Sequence, residues 1–284
     1  RSVAARIPLV RGVMVLGESL SLGMRALGWS ARVAGEEDEE IGGAAMVLSM
    51  VVALAFAIGL FVLVPTFIGK WVAQGNEVVL ATVETVVRVG LFVGYVWAIG
   101  RWEDIARVYQ YHGAEHKTIH AYEKKLPLTV ENVQAQTTLH PRCGTTFLVV
   151  VIVVSIILGS LVAPVLMPNV DGWLAQVSLL VIRIGLLPVI AAISYELQKL
   201  SARFCTTGWR RLVLYPGFLV QKITTREPDD DQVEIAIAAM EAAAWREKAQ
   251  NLAPHGEDPI VFSSFARFRE VLGGEGSLGS SRAA

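Results

Sequence analysis

Residues 41–69 read IGGAAMVLSMVVALAFAIGLFVLVPTFIG and contain no charged side chain between Glu40 and Lys70. A second uncharged run, residues 143–170, reads CGTTFLVVVIVVSIILGSLVAPVLMPNV. A helix needs about 20 apolar residues to cross the hydrocarbon core of a bilayer, which is about 30 Å thick. Both runs exceed that length, so they predict two transmembrane helices and not the strands of a soluble core.

Two more apolar segments lie next to these runs. Residues 78–100 are apolar apart from Glu84 and Arg88, and residues 172–195 are apolar apart from Arg183. The predicted fold class is therefore an all-α membrane protein with four transmembrane helices. Their expected positions are roughly 44–68, 80–101, 146–168 and 172–195.

The composition of the 284-residue chain agrees with this fold class. Hydrophobic residues make up 53% and charged residues 18%, whereas an ordinary soluble domain has roughly 25% charged residues. The mean hydropathy is +0.49, which excludes a disordered chain. The formal net charge of −1 argues against a nucleic-acid partner. Two cysteines cannot form a disulfide scaffold.

The distribution of basic residues predicts the orientation in the membrane. Five lie before the first span, five lie between the second and third spans, and four follow the fourth span within residues 199–211. The other two connections hold only Lys70. The positive-inside rule then places both termini and residues 103–142 in the cytoplasm.

The segments outside the spans are expected to lie at or near the membrane surface. In residues 7–32 a charged residue recurs at every seventh position, from Arg11 to Arg32. This pattern predicts an amphipathic helix in the inner interface or, equally, one packed on the protein's own surface. Asp231 and Glu234 have the spacing of a capping box and predict the start of a soluble C-terminal helix. The predicted spans and the segments between them divide the chain into six segments: 1–43, N-terminal cytoplasmic or interfacial; 44–102, first transmembrane hairpin; 103–145, cytoplasmic His/Cys metal-binding loop; 146–196, second transmembrane hairpin; 197–250, cytoplasmic membrane-surface segment and helix; and 251–284, flexible tail.

Four of the five histidines fall in the stretches YHGAEHKTIHAYE and HPRCG, which begin at positions 111 and 140. His112, His116 and His120 are spaced by four and therefore share one face of a helix. Imidazole nitrogens bind divalent transition metals. His140 and Cys143 could add an N and an S ligand, and a thiolate would favour zinc.

His112-Gly-Ala-Glu115-His116 has the H-x-x-E-H order of the inverzincins. In that arrangement two histidines hold the metal and the glutamate takes the proton of a metal-bound water. A further ligand is then required. The candidates are Glu196, His120, Cys143 and Glu123. Two other interpretations stay open: ordinary hydrogen bonding of the histidines, and a closed structural zinc site that includes His140 and Cys143.

Three charged residues inside the predicted spans have either a functional or a structural explanation. Glu84 and Arg88 form an i, i+4 pair, and Arg183 lies near the middle of the fourth span. Because charge inside a bilayer is costly, these residues could line the polar path of a channel or transporter. A clamp between helices is the structural alternative. Gly90 and Gly94 form a G-x-x-x-G motif, which favours close helix packing or a homo-oligomer.

The stretches YHGAEHKTIHAYE, HPRCGTTFL and ISYELQKLSA resemble the YqhQ-type family of bacterial membrane proteins. LYPGFLVQKITTREPDDDQVEIAIAAM is similar to the C-terminal region of that family. The resemblance implies a multipass protein of the bacterial cell (inner) membrane and a metal-dependent enzyme. It carries over, as motif positions, His112, Glu115, His116, His120, His140, Cys143 and Glu196.

The function expected from the sequence is that of a zinc-dependent hydrolase at the cytoplasmic face of the membrane. The first alternative is an oligomeric ion channel or transporter with a structural metal site. The second is a membrane scaffold without catalysis, in which residues 229–250 dock a cytoplasmic protein. The expected contacts are the lipid bilayer, a second copy of the chain and such a partner.

Overall fold

The computed structural model describes residues 7–34, 43–166 and 172–248, together with Arg267, Phe268 and Glu270. Within those residues the regular elements are helices and no strand occurs, so the all-α prediction is confirmed. A π-helical segment, Gly59–Leu63, joins the second and third helices, and a 3₁₀ helix, Gly208–Leu214, precedes the ninth. The helices are α1 (Val10–Ala34), α2 (Gly43–Ile58), α3 (Val64–Ala73), α4 (Glu77–Ile99), α5 (Glu103–Glu123), α6 (Val130–Gln134), α7 (Gly144–Leu166), α8 (Gly172–Phe204), α9 (Tyr215–Thr224) and α10 (Asp230–Lys248).

The chain forms two compact units. The first comprises Arg1–Arg101 and Pro141–Thr224, and the second comprises Trp102–His140 and Thr225–Ala284. The six-segment division made from the sequence stays a prediction. Most of its tail, residues 251–284, and the connection between the third and fourth predicted spans, residues 169–171, lie outside the described residues.

Two candidate membrane spans occur in the described part of the chain, where the sequence predicts four. Val51–Ala73 and Val78–Ile99 are long and apolar enough to cross a bilayer, by length and composition. The other two predicted spans correspond to α7 and α8. Of these, α7 contains a shorter apolar stretch, Gly144–Gly159. Two such helices indicate association with a membrane.

The first hairpin of the first unit is organised by Pro65. Proline has no N–H, so it cannot donate to the carbonyl four residues earlier, which is that of Phe61. The chain widens into the π-helical segment just before this proline, and Val64 N–H donates to Gly59 O. Arg88 Nε on α4 donates to Phe61 O at 2.9 Å. The arginine therefore satisfies a carbonyl that the proline leaves without its helical donor.

Close packing and a tight turn complete this hairpin. A Cβ on Gly69 would lie 2.9 Å from Cγ of Glu84, so the glycine allows α3 and α4 to approach closely. The turn uses left-handed backbone at Gln74 and Gly75, with φ of 46° and 94°. Asn76 then caps α4 by accepting hydrogen bonds from Val78 N at 3.0 Å and Val79 N at 3.2 Å.

Helix α8 packs against both α1 and α7. The N-terminal end of α1 approaches α8 where a Cβ on Gly12 would meet Cα of Ala192 at 2.9 Å. Further along α1, large apolar side chains such as Leu20 and Leu22 are exposed. Helix α7 also packs against α9. The buried Gln221 of α9 donates to Thr146 Oγ1 of α7 at 2.6 Å.

The second unit is a three-helix cluster of α5, α6 and α10 around a small apolar core. A strap of chain, residues 225–229, crosses α5 at Gly113, where an added Cβ would lie 2.0 Å from Arg226 O. Arg226 N donates to Tyr109 O at 2.9 Å on the same helix. Lys117 is buried beneath the strap and bonds to Gln134 O at 2.9 Å and to Glu227 at 2.6 Å. The core side chains are Ala114, Ala121, Val133, Val233 and Ile237.

The capping pair of α10 differs from the predicted one. Gln232 N donates to Asp229 Oδ1 at 2.9 Å, and Asp229 N donates to Gln232 Oε1 at 3.1 Å. This is a capping box two residues before the Asp231–Glu234 pair that the sequence favoured. Gln232 also donates to Gln110 of α5 at 3.3 Å. That tertiary contact gives a physical reason for the earlier start.

Candidate metal centre

Helix α5 displays the three histidines that share one helical face. The helix begins with Glu103 and Asp104 in its first turn, where carboxylates interact favourably with the positive end of the helix dipole. The helix ends at Glu123 with Lys124 as its C-cap, and the chain turns at Lys125, whose φ is 56°. The predicted loop at 103–145 is thus mostly helical. The predicted alignment of His112, His116 and His120 is confirmed by their positions on α5.

The chain returns past α5 at residues 137–140 and orients two of these rings. His116 Nδ1 lies 2.5 Å from Thr138 O, and His120 Nε2 lies 2.8 Å from Leu139 O. A carbonyl oxygen only accepts hydrogen bonds, so each of these ring nitrogens must be the N–H donor. His116 therefore keeps the lone pair of Nε2, and His120 keeps that of Nδ1. A hydrogen bond from the second ring nitrogen to a carbonyl is the usual support of a metal-binding histidine.

His140 brings a fourth imidazole to the same place. Its ring centroid lies 4.8 Å from that of His120 and 5.7 Å from that of His116. His116 in turn lies 4.4 Å from His112. Burial of His140, followed by the positive charges that His120 and His116 can carry, lowers its pKa to about 4. The ring is therefore neutral near pH 7, the state in which imidazole binds metals.

Three side chains converge closely enough to hold one ion. The ligand atoms of His120, Glu123 and His140 all lie within 4.8 Å of one another. His140 Nε2 and Glu123 Oε2 are 3.6 Å apart. Ligands at about 2.0–2.1 Å in a tetrahedral zinc site lie about 3.4 Å from each other. Two imidazoles and a carboxylate also match the donors that zinc prefers, so these residues fit a zinc ion.

A zinc ion held by His120, Glu123 and His140 would have three protein ligands, and one position would remain for water or substrate. Catalytic zinc sites have three protein ligands and one open position, whereas structural sites have four protein ligands. His140 is 4% exposed, and the Glu123 side chain is 38% exposed. The site therefore has a buried side and a side open to solvent.

The other predicted site residues belong to α5 or to the first unit. His112 and His116 are on the same face of α5, and His116 contacts His140. Glu115, the predicted general base, is exposed on α5. Glu196 belongs to the first unit, where its two carboxylate oxygens accept from Arg11 Nε at 3.1 Å and Nη2 at 2.5 Å. The roles assigned to these residues stay predictions.

Cys143 also belongs to the first unit, three residues along the chain from His140. It is buried, and its Sγ lies 2.7 Å from Thr145 Oγ1 and 3.4 Å from Thr145 N. Its carbonyl accepts a hydrogen bond from Gln198 Nε2 at 2.8 Å. Whether its sulfur binds metal is a prediction from the sequence.

Glu123 is one of the four candidates for the further ligand that the sequence offers. Its signal is the spacing His120-x-x-Glu123, because residues three apart on a helix are neighbours. The chain reversal after Lys125 returns His140 to the C-terminal end of α5 and brings its ring close to Glu123. Which candidate binds a metal stays a prediction.

The charges inside the candidate spans make structural contacts. Arg88 bonds to Phe61 O and lies 3.7 Å from Glu84 on the same helix. These contacts fit the clamp interpretation. Arg183 lies on α8, but its side chain is outside the described residues. Gly90 and Gly94 have no atom within 4 Å of an added Cβ in the described part of the chain.

The family model described as "Protein of unknown function (DUF1385)" matches residues 7–246. The chain belongs to this family. It is 34% identical to "Uncharacterized protein YqhQ" of Bacillus subtilis (strain 168), over 83% of this chain and 76% of that protein. The resemblance to the YqhQ-type family is thereby confirmed. No solved structure matches the chain.

Proposed function

We propose that this protein is a multipass protein of the bacterial cell (inner) membrane that binds zinc through His120, Glu123 and His140. We further propose that it is a hydrolase acting at the cytoplasmic face on a peptide or lipid-linked substrate. The observation that carries the proposal is the convergence of two imidazoles and a carboxylate within 4.8 Å, with His120 oriented by a backbone carbonyl.

The residues around the site have separate roles in this proposal. A bound zinc ion lowers the pKa of its water and polarises a carbonyl, which is the chemistry of hydrolysis. The hydrogen bond to Leu139 O holds the His120 ring in the tautomer that presents Nδ1. His116 Nε2 can accept a proton beside His140, and the exposed Glu115 remains the base favoured by the sequence. His116 is one turn before His120 on α5, and Glu115 precedes His116 on the exposed side of the helix.

The membrane part of the proposal rests on length and charge. Helix α7 has 23 residues and α8 has 33, which at 1.5 Å per residue exceed the roughly 30 Å of a bilayer core. Together with the two candidate spans, they would make four. The concentration of basic residues at the two termini and in residues 103–142 would place the zinc site in the cytoplasm.

Metal analysis of single variants tests the zinc site. Purified wild-type chain should contain about one zinc per chain, and His120→Ala, Glu123→Gln and His140→Ala should each lose most of it. His255→Ala is the matched control, because His255 is the histidine outside the two His-rich stretches. Absence of stoichiometric metal, or full retention in all three variants, would refute the proposal.

Further variants assign the remaining residues. Glu115→Gln should keep its zinc; loss of zinc would make Glu115 a ligand and not a base. Loss of zinc in Cys143→Ser would add the thiolate to the ligand set. Cys205→Ser serves as its control, since Cys205 is the other free cysteine.

A closed structural zinc site is the second candidate function of the cluster. The observation that favours it is the contact between the His116 and His140 rings, which could make His116 a fourth ligand. In that case His116→Ala would release zinc as readily as His120→Ala does. An open catalytic site predicts that His116→Ala keeps the metal. The channel and scaffold alternatives, the homo-oligomer and the partner at 229–250 stay predictions.

A further inference from the structure

The short 3₁₀ helix Gly208–Leu214 exposes a group of large apolar side chains. Trp209 is 80% exposed, Leu212 is 69% exposed and Val213 is 60% exposed. The next residue, Leu214, is 2% exposed, so it anchors the helix in the first unit. Adjacent exposed side chains of this size indicate a surface that is covered in use.

Basic side chains surround this group without acidic neighbours in the sequence. Residues 197–224 contain five Lys or Arg and no Asp or Glu. Arg210 and Arg211 are exposed on the 3₁₀ helix itself, and Arg203 is exposed as the penultimate residue of α8. The guanidinium of Arg203 lies 5.3 Å from the Phe204 ring and that of Arg211 lies 5.7 Å from the Phe218 ring.

We propose that this basic–aromatic surface binds the headgroups of anionic phospholipids. It comprises Arg203, Trp209, Arg210, Arg211, Leu212 and Val213. Guanidinium groups bind phosphate with paired hydrogen bonds, and tryptophan favours the membrane–water interface. The apolar side chains enter the interface while the arginines remain at the level of the phosphates. A nucleic acid would satisfy the arginines but offers no counterpart to Leu212 and Val213.

The position of the surface in the chain supports a lipid partner. Its 3₁₀ helix follows α8 after three residues, 205–207, so the surface lies beside the end of a helix that we propose to span the bilayer. Basic residues immediately next to a span attract anionic lipids by about 1 kcal/mol each, or about fivefold in affinity. The inference rests on the α7–α8 hairpin spanning the membrane and is independent of the zinc site.

Quenching of Trp209 by brominated lipid tests this inference in the full chain. The protein is reconstituted in phosphatidylcholine with increasing amounts of phosphatidylglycerol brominated on its acyl chains. The difference in quenching between wild type and Trp209→Phe isolates the contribution of Trp209 from that of the other six tryptophans. The wild type should show half of this quenching at a low fraction of anionic lipid.

The arginine variants give the decisive comparison. In Arg210→Gln/Arg211→Gln the anionic fraction needed for half-quenching should rise by more than tenfold, since two arginines at about fivefold each contribute about 25-fold together. Arg210→Lys/Arg211→Lys should keep most of the preference for anionic lipid, which would also show that the surface still folds after substitution. Lys124→Gln/Lys125→Gln removes two exposed charges of the second unit and should leave half-quenching unchanged.

Three results would overturn the inference. An unchanged midpoint in the double Gln variant shows that the arginines do not select the lipid. A Trp209 that neither brominated phosphatidylglycerol nor brominated phosphatidylcholine quenches leaves the surface to a protein partner. Release of the chain from membranes by alkaline carbonate overturns the spanning hairpin and this inference together, whereas zinc content is unaffected by any of these outcomes.

Discussion

Replacing Gly113 by alanine should destabilise the protein, although helix propensity alone predicts that it stabilises α5. Gly113 lies inside α5, where alanine is favoured over glycine by about 1 kcal/mol. The structure places Arg226 O 2.0 Å from the position of the new Cβ. An ordinary contact between carbon and oxygen is more than 1 Å longer, so the strap at 225–229 must move away from α5.

The cost of that movement follows from the contacts of the strap. Overpacking costs about 1–3 kcal/mol. Displacement also weakens the hydrogen bond of 2.9 Å from Arg226 N to Tyr109 O, which contributes about 0.5–1.5 kcal/mol. Less the gain in helix propensity, Gly113→Ala should destabilise the second unit by about 1–3 kcal/mol.

Hydrogen–deuterium exchange of the full chain measures this effect where it occurs. Amides of α10 should exchange faster in Gly113→Ala, because α10 continues from the displaced strap. Gly90→Ala is the matched control, since that glycine is inside α4 and an added Cβ has no atom within 4 Å in the described part of the chain. Unchanged or slower exchange of residues 230–248 in Gly113→Ala would refute the reasoning.

Three further predictions concern ionisation, the π-helical segment and the start of α10. With zinc removed by chelator, the second unit should lose stability as the pH falls from about 6.5 towards 4. An unfolded histidine has a pKa near 6.5, whereas the pKa of native His140 is lowered to about 4, so the unfolded state binds more protons between these pH values. The melting temperature should depend less steeply on pH in His140→Gln than in the wild type, and an equal dependence contradicts this. Arg88→Met should lower the free energy of unfolding by about 1–3 kcal/mol, because it leaves Phe61 O without its hydrogen-bond donor. The loss should be much smaller in a Pro65→Ala background, where residue 65 regains its backbone N–H. Equal losses in the two backgrounds, measured by thermal unfolding in detergent, would exclude the role assigned to Arg88. Asp229→Ala should destabilise α10 by about 1 kcal/mol and Asp231→Ala by less, as measured by amide exchange, and the opposite order would restore the capping box expected from the sequence.

The sequence predicts what depends on local periodicity. The spacing of His112, His116 and His120 is enough to place them on one helical face, because a helix repeats every 3.6 residues. The four apolar segments likewise predict apolar helices, and two of the four meet the length and composition of a span in the described part of the chain. Both predictions need only neighbouring residues, so no tertiary information is required.

Features that depend on the return of the chain escape such reasoning. The sequence offers Glu123 as one of four candidate ligands, and its closeness to His140 depends on the return of the chain to the end of α5. The acidic run at 229–231 offers several possible caps, and the contact between Gln232 and Gln110 is invisible in the sequence. For Arg88 the sequence leaves open a polar path or a clamp between helices. Pro65 indicates that Phe61 O lacks a helical donor, but the hydrogen bond from Arg88 to that carbonyl follows only when α3 and α4 are adjacent.

X-ray absorption at the zinc edge of the purified chain shows whether imidazoles of this cluster bind the metal. We expect one zinc per chain with at least two imidazole ligands at about 2.0–2.1 Å, and loss of the imidazole signal in His120→Ala/His140→Ala. A protein that contains no zinc, or a zinc shell without imidazole, would contradict this expectation.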